Sequence, residues 1–295
     1  MEHEKYYSPD HNPNSQTYHE SYAMALEEFL IPAPAAHVAG MKMFDKVTGG
    51  FRPKEFTILC GSTGVGKTCL LANWSAEFLK ANIKHFVVSV ETGHTDFVKR
   101  IISAIQGEDW NTGMPVALEK IKAFALKSGD LFEKNYSQLS LYENRFKIET
   151  LMADIQWHVD NNGIQVCLID NINFFMEVTS AQNSIIAMDS AIHALIIFCK
   201  RVNVHLVMVM HPKKTENGRV ESEFDIKGSS TAVQEAHNIF ILNRAGKDLI
   251  TGGDAVDGDR ELKIAKMRRI GRAVGSRIIY GCTAGVSYYE KAMVK

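Results

Sequence analysis

Long apolar runs are missing from this chain. No stretch approaches the roughly 20 consecutive apolar residues that a helix needs to cross a bilayer. The first residues, Met1 to Lys5, contain no apolar signal segment. These two absences argue against a membrane-spanning or secreted protein. We therefore expect a cytoplasmic protein with no membrane partner, acting in the host cytoplasm if a phage encodes it.

Cysteine is scarce, and the five cysteines form no C-x-x-C pair. This spacing excludes the usual zinc-ligand pattern and offers no disulfide framework, so we expect reduced thiols that lie mostly in the core. The sequence also has no long repeat or low-complexity tract, which argues against a repeat array.

The composition is that of a globular protein whose charge is unevenly distributed. The 295 residues are 45% hydrophobic, enough for one large α/β domain, although two small domains would also fit. The net charge of −1 conceals an acidic first 30 residues and a basic segment between residues 260 and 277. Such a basic segment suits phosphate-bearing partners, but it is also compatible with an ordinary solvated surface.

A phosphate-binding loop is the strongest motif. Residues 61–68, GSTGVGKT, match G-x-x-x-x-G-K-[ST] at every fixed position and follow the apolar run Phe56–Cys60, which predicts a buried strand. The alternative is a glycine-rich turn before an ordinary helix. Lys67 is expected to pair with the β- and γ-phosphates of ATP, and Thr68 to place its hydroxyl on Mg²⁺. The predicted nucleotide-binding positions in this segment are Gly61, Ser62, Thr63, Gly64, Val65, Gly66, Lys67, Thr68 and Cys69.

Apolar strands alternate with helical patterns beyond residue 40. This alternation predicts an α/β fold with a largely parallel sheet covered by helices on both faces, and the last third predicts an antiparallel edge. The predicted strands are Thr57–Cys60, His85–Val90, Leu139–Tyr142, Val166–Ile169, His205–Met210, Asn238–Leu242, Glu261–Lys266, Ser276–Tyr280 and Val286–Glu290.

The N-terminal segment is predicted to be separate from this α/β domain. Residues 1–37 are expected to form a flexible N-terminus with one short linker helix, Ser15–Leu30, and residues 38–295 to form the main domain. A single amphipathic helix has no core of its own. It either folds back on its own domain or docks on a neighbouring subunit.

Three polar residues stand at the ends of predicted parallel strands, where ligands of such sheets bind. Asp170 has the form of the acid that holds Mg²⁺ through its waters, although a buried acid could instead pair with a basic residue. Glu91 is placed to deprotonate a water aimed at the γ-phosphate, and His211 to contact that phosphate. Taken singly, Glu91 and His211 are also compatible with ordinary strand-end residues.

Several segments together resemble the RecA-like helicase domain of the DnaB/Twinkle group of hexameric replicative helicases. The order and spacing of short motifs over residues 40 to 290 carry this resemblance. The segments are Phe44-Asp45-Lys46-Val47-Thr48-Gly49-Gly50-Phe51, Leu168-Ile169-Asp170-Asn171, the strand ending in His211-Pro212-Lys213-Lys214, residues 225–236 and Lys266-Met267-Arg268.

The resemblance implies roles for individual residues. Glu91 matches the catalytic base and His211 the γ-phosphate sensor of the group. Lys266 and Arg268 match a pair that reaches the ATP of the adjacent subunit, with Arg268 as an arginine finger, although Arg269 could take that place or both could be ordinary edge-strand residues. The positions implied to hold single-stranded DNA are Lys213, Lys214, Lys227, Gly228, Ser229 and Ser230.

The resemblance also implies a function, namely an ATP-dependent homo-hexameric ring helicase that translocates on single-stranded DNA and unwinds duplex DNA in replication. The partners so implied are a primase, a polymerase or a single-strand-binding protein. Two alternatives share the fold, namely a RecA/RadA-like recombination ATPase and a signalling or circadian ATPase. A third is a nucleotide-gated DNA clamp or helicase-partner module with little hydrolysis. Acidic residues in the loop from Lys213 to Lys227 offset its basic ones, so we expect one subunit alone to hold DNA weakly.

Overall fold

The chain separates into two compact units, Met1–Ala35 and Ala36–Lys295. The computed structural model describes residues 21–23, 26, 39–110, 115–138, 147–171, 181–213, 219–227, 230–246, 258–283 and 286–294. In the first unit, residues 21–23 and Leu26 are helical and exposed, and the rest of the predicted helix Ser15–Leu30 lies outside the described residues. The predicted domain boundary after residue 37 stays a prediction.

The second unit alternates strands and helices in its first two thirds and ends in consecutive strands. Its strands are β1 (Phe56–Cys60), β2 (His85–Ser89), β3 (Tyr136–Gln138), β4 (Val166–Asp170), β5 (His205–Met210), β6 (Asn238–Arg244), β7 (Arg260–Met267), β8 (Arg277–Thr283) and β9 (Ser287–Val294). Its α-helices are α1 (Lys42–Thr48), α2 (Lys67–Lys80), α3 (His94–Gln106), α4 (Leu118–Asn135), α5 (Ile148–Asn162), α6 (Ala181–Val202) and α7 (Ser230–Glu235).

The described strands form one sheet in the order β3-β2-β4-β5-β1-β6-β7-β8-β9. The pairs from β3 to β6 are parallel, and those from β6 to β9 are antiparallel. This arrangement confirms the predicted parallel sheet with an antiparallel C-terminal edge. In register, Cys60 pairs with Met210, and Ser89 with Asp170. The carboxyl ends of these strands are therefore level with one another.

Helices cover both faces of the sheet, as the sequence predicts. One apolar core joins alternate strand residues such as Leu59 and Val209 to helices α2 and α3. The other core joins the intervening residues, such as Ile58 and Met208, to helices α5 and α6. Because successive strand side chains point to opposite faces, strands buried on both sides have a continuously apolar sequence.

The described strands and the cysteines largely match what the sequence predicts. The predicted bounds of the described strands agree with the structure to within a few residues, but the predicted strand Leu139–Tyr142 lies outside the described residues and β3 directly precedes it. All five cysteines are free thiols; four are buried and Cys282 is partly exposed. Among the helices in the described ranges, none has the length and apolar character that crossing a bilayer requires.

The antiparallel edge packs on the helix that follows the phosphate loop. Asn73 of α2 donates from Nδ2 to the Val286 carbonyl at 2.8 Å and accepts from the Tyr288 backbone N–H at 2.8 Å. The buried amide is thus paired through both of its ends, as buried polar groups require. These two hydrogen bonds therefore fix helix α2 to the last strand of the antiparallel edge and the residue that leads into it.

A buried histidine, His85 in β2, makes the stability of this fold depend on pH. Its Nδ1 lies 3.0 Å from the Ile83 carbonyl oxygen and its Nε2 lies 2.6 Å from Ser75 Oγ. A carbonyl oxygen only accepts, so Nδ1 carries the proton and Nε2 accepts from the hydroxyl of Ser75. Burial lowers the pKa of His85 from 6.5 to about 4.

We expect acid to destabilise the protein through His85. Because the native pKa lies below the unfolded one, the unfolded chain binds a proton first as pH falls below about 6.5. The free energy of unfolding therefore decreases as the pH falls towards the pKa of His85 in the native state, by about 3 kcal/mol at most. Urea unfolding between pH 7 and pH 4.5 measures it, and His85→Gln, which stays neutral, should show a smaller pH dependence. Equal pH dependence in both proteins would contradict this role for His85.

Candidate nucleotide-binding site

The backbone of the phosphate loop requires glycine at two of its positions. Gly66 precedes α2 with φ 102°, a left-handed conformation that other residues rarely adopt. A Cβ at Gly66 would collide with the hydroxyl of Tyr288, and one at Gly61 would lie 2.5 Å from the Leu242 carbonyl oxygen. Glycine is therefore favoured at Gly66 mainly by the backbone conformation and at Gly61 by the close approach of the β6 backbone.

The start of α2 presents backbone N–H groups to the loop. Leu70 N–H donates to the Gly66 carbonyl at 2.9 Å, so the helical hydrogen-bond ladder starts there and the amides of Lys67, Thr68 and Cys69 come before it. Amides at this position and the positive end of the helix dipole favour an anion. The Cys69 thiol itself is buried and donates to the Val286 carbonyl at 3.2 Å, so its backbone is the part suited to a nucleotide.

Lys67 curls back over the loop. Its ammonium donates to the Gly61 carbonyl at 2.7 Å and to the Ser62 carbonyl at 3.0 Å. Burial lowers the pKa of Lys67, while the nearby carboxylate of Asp170 acts in the opposite direction. The loop thus holds a positive charge close to the amides that precede α2.

Thr68 and Asp170 meet across the site. Thr68 Oγ1 donates to Asp170 Oδ2 at 2.6 Å, joining the start of α2 to the end of β4. Asp170 is 2% exposed. Burial raises its pKa, and the hydrogen bond from Thr68 opposes that shift. The structure therefore brings together the two residues that the sequence assigns to Mg²⁺.

This hydroxyl and carboxylate fit Mg²⁺ better than a metal that needs a full protein cage. The described residues contain no group of three or more His, Cys, Asp or Glu side chains that could hold a metal ion. Mg²⁺ typically takes one or two protein oxygens and completes its octahedron with waters and phosphate oxygens. The donor set of Thr68 and Asp170 meets that requirement.

Glu91 and His211 lie on the two sides of one buried amide. Strand β4 lies between β2 and β5 in the sheet, and Asn171 directly follows β4. Its Nδ2 donates to Glu91 Oε2 at 3.0 Å and lies 3.2 Å from His211 Nε2. Burial lowers the pKa of His211, helped by the charges of Lys67 and Lys227 and opposed by that of Glu91. The imidazole is therefore mostly neutral at neutral pH.

Two residues of this site carry no role in the sequence-based interpretation. The sequence could have identified Asn171. It directly follows the predicted metal-binding acid Asp170, and two other predicted strands also end in polar residues. Arg260, at the start of β7, donates from Nε to the Val65 carbonyl of the loop at 2.6 Å. The sequence shows Arg260 only as one member of a basic segment, because a contact between residues so far apart depends on the antiparallel edge.

Lys266 and Arg268 lie away from the phosphate loop of their own chain. Lys266 pairs with Ile239 of β6 and is therefore level with the middle of β1, whereas the loop follows the end of β1. Arg268 lies farther back, where its N–H donates to the His237 carbonyl before β6 begins. Lys266 Nζ donates to the Val233 and Gln234 carbonyls, each at 2.7 Å, and Arg268 donates to the Gln234 carbonyl. Cations here stabilise the carbonyl end of helix α7.

The predicted DNA-binding residues flank one loop. Pro212 and Ile226 form an isolated antiparallel bridge at its base. Lys213 N–H donates to the Asp225 carbonyl at 2.6 Å, and Lys227 N–H donates to the His211 carbonyl at 2.9 Å. Both lysines are exposed.

The other predicted DNA contacts cannot be placed in the same way. Lys214, Gly228 and Ser229 lie outside the described residues, and Ser230 begins α7 with its side chain undescribed. The roles predicted for the site residues and the DNA-binding residues stay predictions.

The fold and the phosphate loop together define a class of protein. A parallel sheet with a phosphate loop after β1, Asp170 at the end of β4 and helices on both faces is the architecture of a RecA-like P-loop NTPase. A family model described as "DnaB-like helicase C terminal domain" matches residues 38–280. The chain belongs to this family.

Two solved structures share the fold at low sequence identity. The first is described as "The Structure Of A DnaB-Like Replicative Helicase And Its Interactions With Primase", and it matches with TM-score 0.72 and 16% identity over 92% of this chain and 68% of that chain. The second is the "ATPase Domain of G40P", which matches with TM-score 0.73 and 15% identity over 95% of this chain and 100% of that chain.

Proposed function

We propose that this chain is the motor of an ATP-driven ring helicase that moves along single-stranded DNA and unwinds duplex DNA during replication, in the cytoplasm of a cell or of a phage's host. One observation carries the proposal: Asp170 is hydrogen-bonded to the phosphate loop, and the next residue, Asn171, contacts both the predicted base and the predicted sensor. Membership of the DnaB-like family supports the same function. We assign the motor to residues 38–295.

Each residue of the site has a role in ATP hydrolysis under this proposal. The amides of the loop and Lys67 hold the β- and γ-phosphates, and Thr68 with Asp170 holds Mg²⁺. When bound, Mg²⁺ neutralises charge that develops on the phosphate oxygens. Glu91 accepts a proton from the attacking water, and His211 contacts the γ-phosphate.

Ring assembly completes the site in this proposal. Lys266 is level with the middle of β1 and Arg268 with its start, so both lie back along the strands from the phosphate loop, by roughly 3.3 Å per residue. We assign them to the ATP of the adjacent subunit in a homo-hexamer, where Arg268 stabilises the transferring phosphoryl group. The name of one structural relative records interactions with primase, and we extend a primase partner, with polymerase or single-strand-binding protein, to this chain.

The loop between His211 and Lys227 links the ATP site to DNA. Its base is fixed by the Pro212–Ile226 bridge, and Lys227 is hydrogen-bonded to the residue that faces the γ-phosphate. A change at His211 therefore reaches Lys213 and Lys227 through the backbone. We assign these lysines, with Lys214, Gly228, Ser229 and Ser230, to the phosphates of single-stranded DNA.

Nucleotide binding and hydrolysis should separate between two variants. Lys67→Ala removes the positive charge that pairs with the β- and γ-phosphates, so ATP binding should be abolished or become very weak. Glu91→Gln should still bind ATP but hydrolyse it at least roughly 10²-fold more slowly, because a general base contributes about that much. Steady-state ATPase assays with and without single-stranded DNA, beside nucleotide-binding titrations, measure both effects. Glu133→Gln, at an exposed glutamate of α4, is the control. If Glu91→Gln hydrolyses ATP at the wild-type rate, Glu91 is not the base.

DNA binding should depend on the two loop lysines through charge alone. Lys213→Ala and Lys227→Ala should each weaken single-strand binding equally for all sequences. The slope of log affinity against log salt should become shallower by about 0.7 for each phosphate that the variant no longer neutralises. Fluorescence anisotropy over a salt series measures the slope, with Lys127→Ala on α4 as the control. An unchanged slope in both loop variants would place the DNA elsewhere.

Mixing two inactive variants should restore activity if the site is shared between subunits. Arg268→Ala should bind ATP and lose most hydrolysis, since an arginine finger contributes roughly 10³–10⁵ in rate. Lys67→Ala protomers retain the finger, so mixed rings contain interfaces with Lys67 from one chain and Arg268 from the other. ATPase activity should peak near equal amounts of the two.

Failure of this rescue despite proven co-assembly would contradict the assignment of Arg268 to a neighbouring subunit. Repeating the mixture with Arg269→Ala then tests the next residue as the finger. Electron microscopy of the protein with single-stranded DNA and a slowly hydrolysed ATP analogue distinguishes closed rings from recombinase-like filaments.

A further inference from the structure

Asn171 occupies the centre of the row of strand ends. It follows β4, and the strands on either side, β2 and β5, lead to Glu91 and His211. Asn171 is 3% exposed, and its Nδ2 contacts Glu91 Oε2 at 3.0 Å and His211 Nε2 at 3.2 Å. One buried amide therefore bridges the two residues to which the hydrolytic reaction is assigned.

The chemistry of these groups fixes the direction of both hydrogen bonds. An ionised carboxylate only accepts, so the amide nitrogen of Asn171, rather than its oxygen, faces Glu91. That nitrogen carries two hydrogens and donates to His211 as well. His211 Nε2 must then be the unprotonated acceptor, and the neutral ring carries its proton on Nδ1.

We propose that Asn171 is a positioning residue that holds Glu91 in place and couples that placement to the state of His211. The proposal rests on the function assigned above, in which Glu91 is the base and His211 faces the γ-phosphate. Glu91 is exposed, so a carboxylate on this loop would otherwise sample several rotamers in water. The buried amide restricts it to one of them.

The coupling follows from the tautomer of His211. With Nε2 bonded to Asn171, Nδ1–H is the remaining donor for an anionic oxygen such as that of a terminal phosphate. Donation from Nδ1 preserves the tautomer that accepts from Asn171, so contact with phosphate and placement of Glu91 reinforce each other. A protonated ring would direct Nε2–H at the amide hydrogens and break the bridge.

The charges around His211 act in favour of this neutral ring. Burial lowers its pKa, and the ammonium groups of Lys67 and Lys227 add to that effect. The Glu91 carboxylate raises the pKa of His211 and so favours the protonated ring, against the effect of the two lysines. The bridge through Asn171 therefore forms in the protonation state that the surroundings favour.

Kinetics of Asn171→Leu test the effect on Glu91. This change keeps the volume but removes both donors, and kcat for ATP hydrolysis should fall about 10- to 100-fold, the size expected for a misplaced catalytic group. ADP affinity should stay within about twofold, because ADP lacks the terminal phosphate that His211 faces and the amide does not contact the phosphate loop. Asn161→Leu, at an exposed position of α5, is the matched control and should leave kcat unchanged.

A double-mutant comparison separates positioning from a general structural effect. In the Glu91→Gln background, Asn171→Leu should change kcat by less than about twofold, because the placement of an absent base no longer matters. The same fold reduction in both backgrounds would overturn the proposal, as would an unchanged kcat in Asn171→Leu alone. If the leucine variant does not fold, Asn171→Asp keeps the shape and supplies the same comparison.

Asn171→Asp adds a pH readout with a definite sign. A carboxylate at this position stabilises the protonated forms of Glu91 and His211, so the acid limb of kcat should move to higher pH. Asn171→Leu, which adds no charge, should not produce that shift. An unchanged acid limb in Asn171→Asp would count against contact with either residue.

The tautomer of His211 gives a test that needs no activity. ¹⁵N spectra of histidine-labelled protein, assigned with His211→Gln, should show Nδ1 protonated and Nε2 unprotonated in the wild type, and a change in Asn171→Leu. A wild-type ring protonated on Nε2 would overturn the bridge even in an active enzyme. Absence of ATP hydrolysis with the expected tautomer would instead refute the proposed function and leave the bridge intact.

Discussion

The parallel alignment of four neighbouring strands is the constraint on which the site depends. Strands β2, β4, β5 and β1 lie side by side with their carboxyl ends level. Residues that are far apart in sequence, such as Glu91, Asp170 and His211, therefore become neighbours although their own segments are not adjacent in the chain. Hydrogen bonding of the strand backbones fixes the register, and the two apolar cores hold the strands in the sheet.

The site combines burial with charge, and each of its buried polar groups has a partner that makes burial tolerable. Lys67 is held by two carbonyls, Asp170 by the hydroxyl of Thr68, and Asn171 by groups on both sides. Burial disfavours the charged form of both residues, so it lowers the pKa of Lys67 and raises the pKa of Asp170. A polyvalent anion with a divalent cation supplies charges complementary to both residues.

The sequence predicts the sheet and the loop well because both leave local signals. A continuous apolar run identifies β1, β4 and β5, and the glycine pattern identifies the loop, so the parallel sheet and the position of the site at its strand ends follow from general rules. The roles predicted for Glu91, Asp170 and His211 rest on their positions at or just after the ends of strands. Their meeting in space is what the structure adds.

Contacts made across the sheet could not be predicted in the same way. Arg260 reaches the loop only because β7 returns antiparallel beside β6, and a bulge near Ile239 and Phe240 shifts that register. His237 accepts from the Phe56 N–H through Nδ1, with its pKa lowered to about 4 by burial. The neutral imidazole nitrogen thus supplies the acceptor for the N–H of the first residue of β1.

The antiparallel edge gives the fold two ends with different chemical characters. At the carboxyl end of the parallel strands, Arg260 and Tyr288 approach the loop of their own chain. At the other end, Lys266 and Arg268 contact the carbonyls of α7. Strand β7 thus places Arg260 at the phosphate loop of its own chain, whereas Lys266 and Arg268, at and just after the other end of β7, lie away from that loop. Under the proposed function this division is what a site shared between subunits requires, because one set of charges holds the nucleotide and another approaches a neighbour's nucleotide.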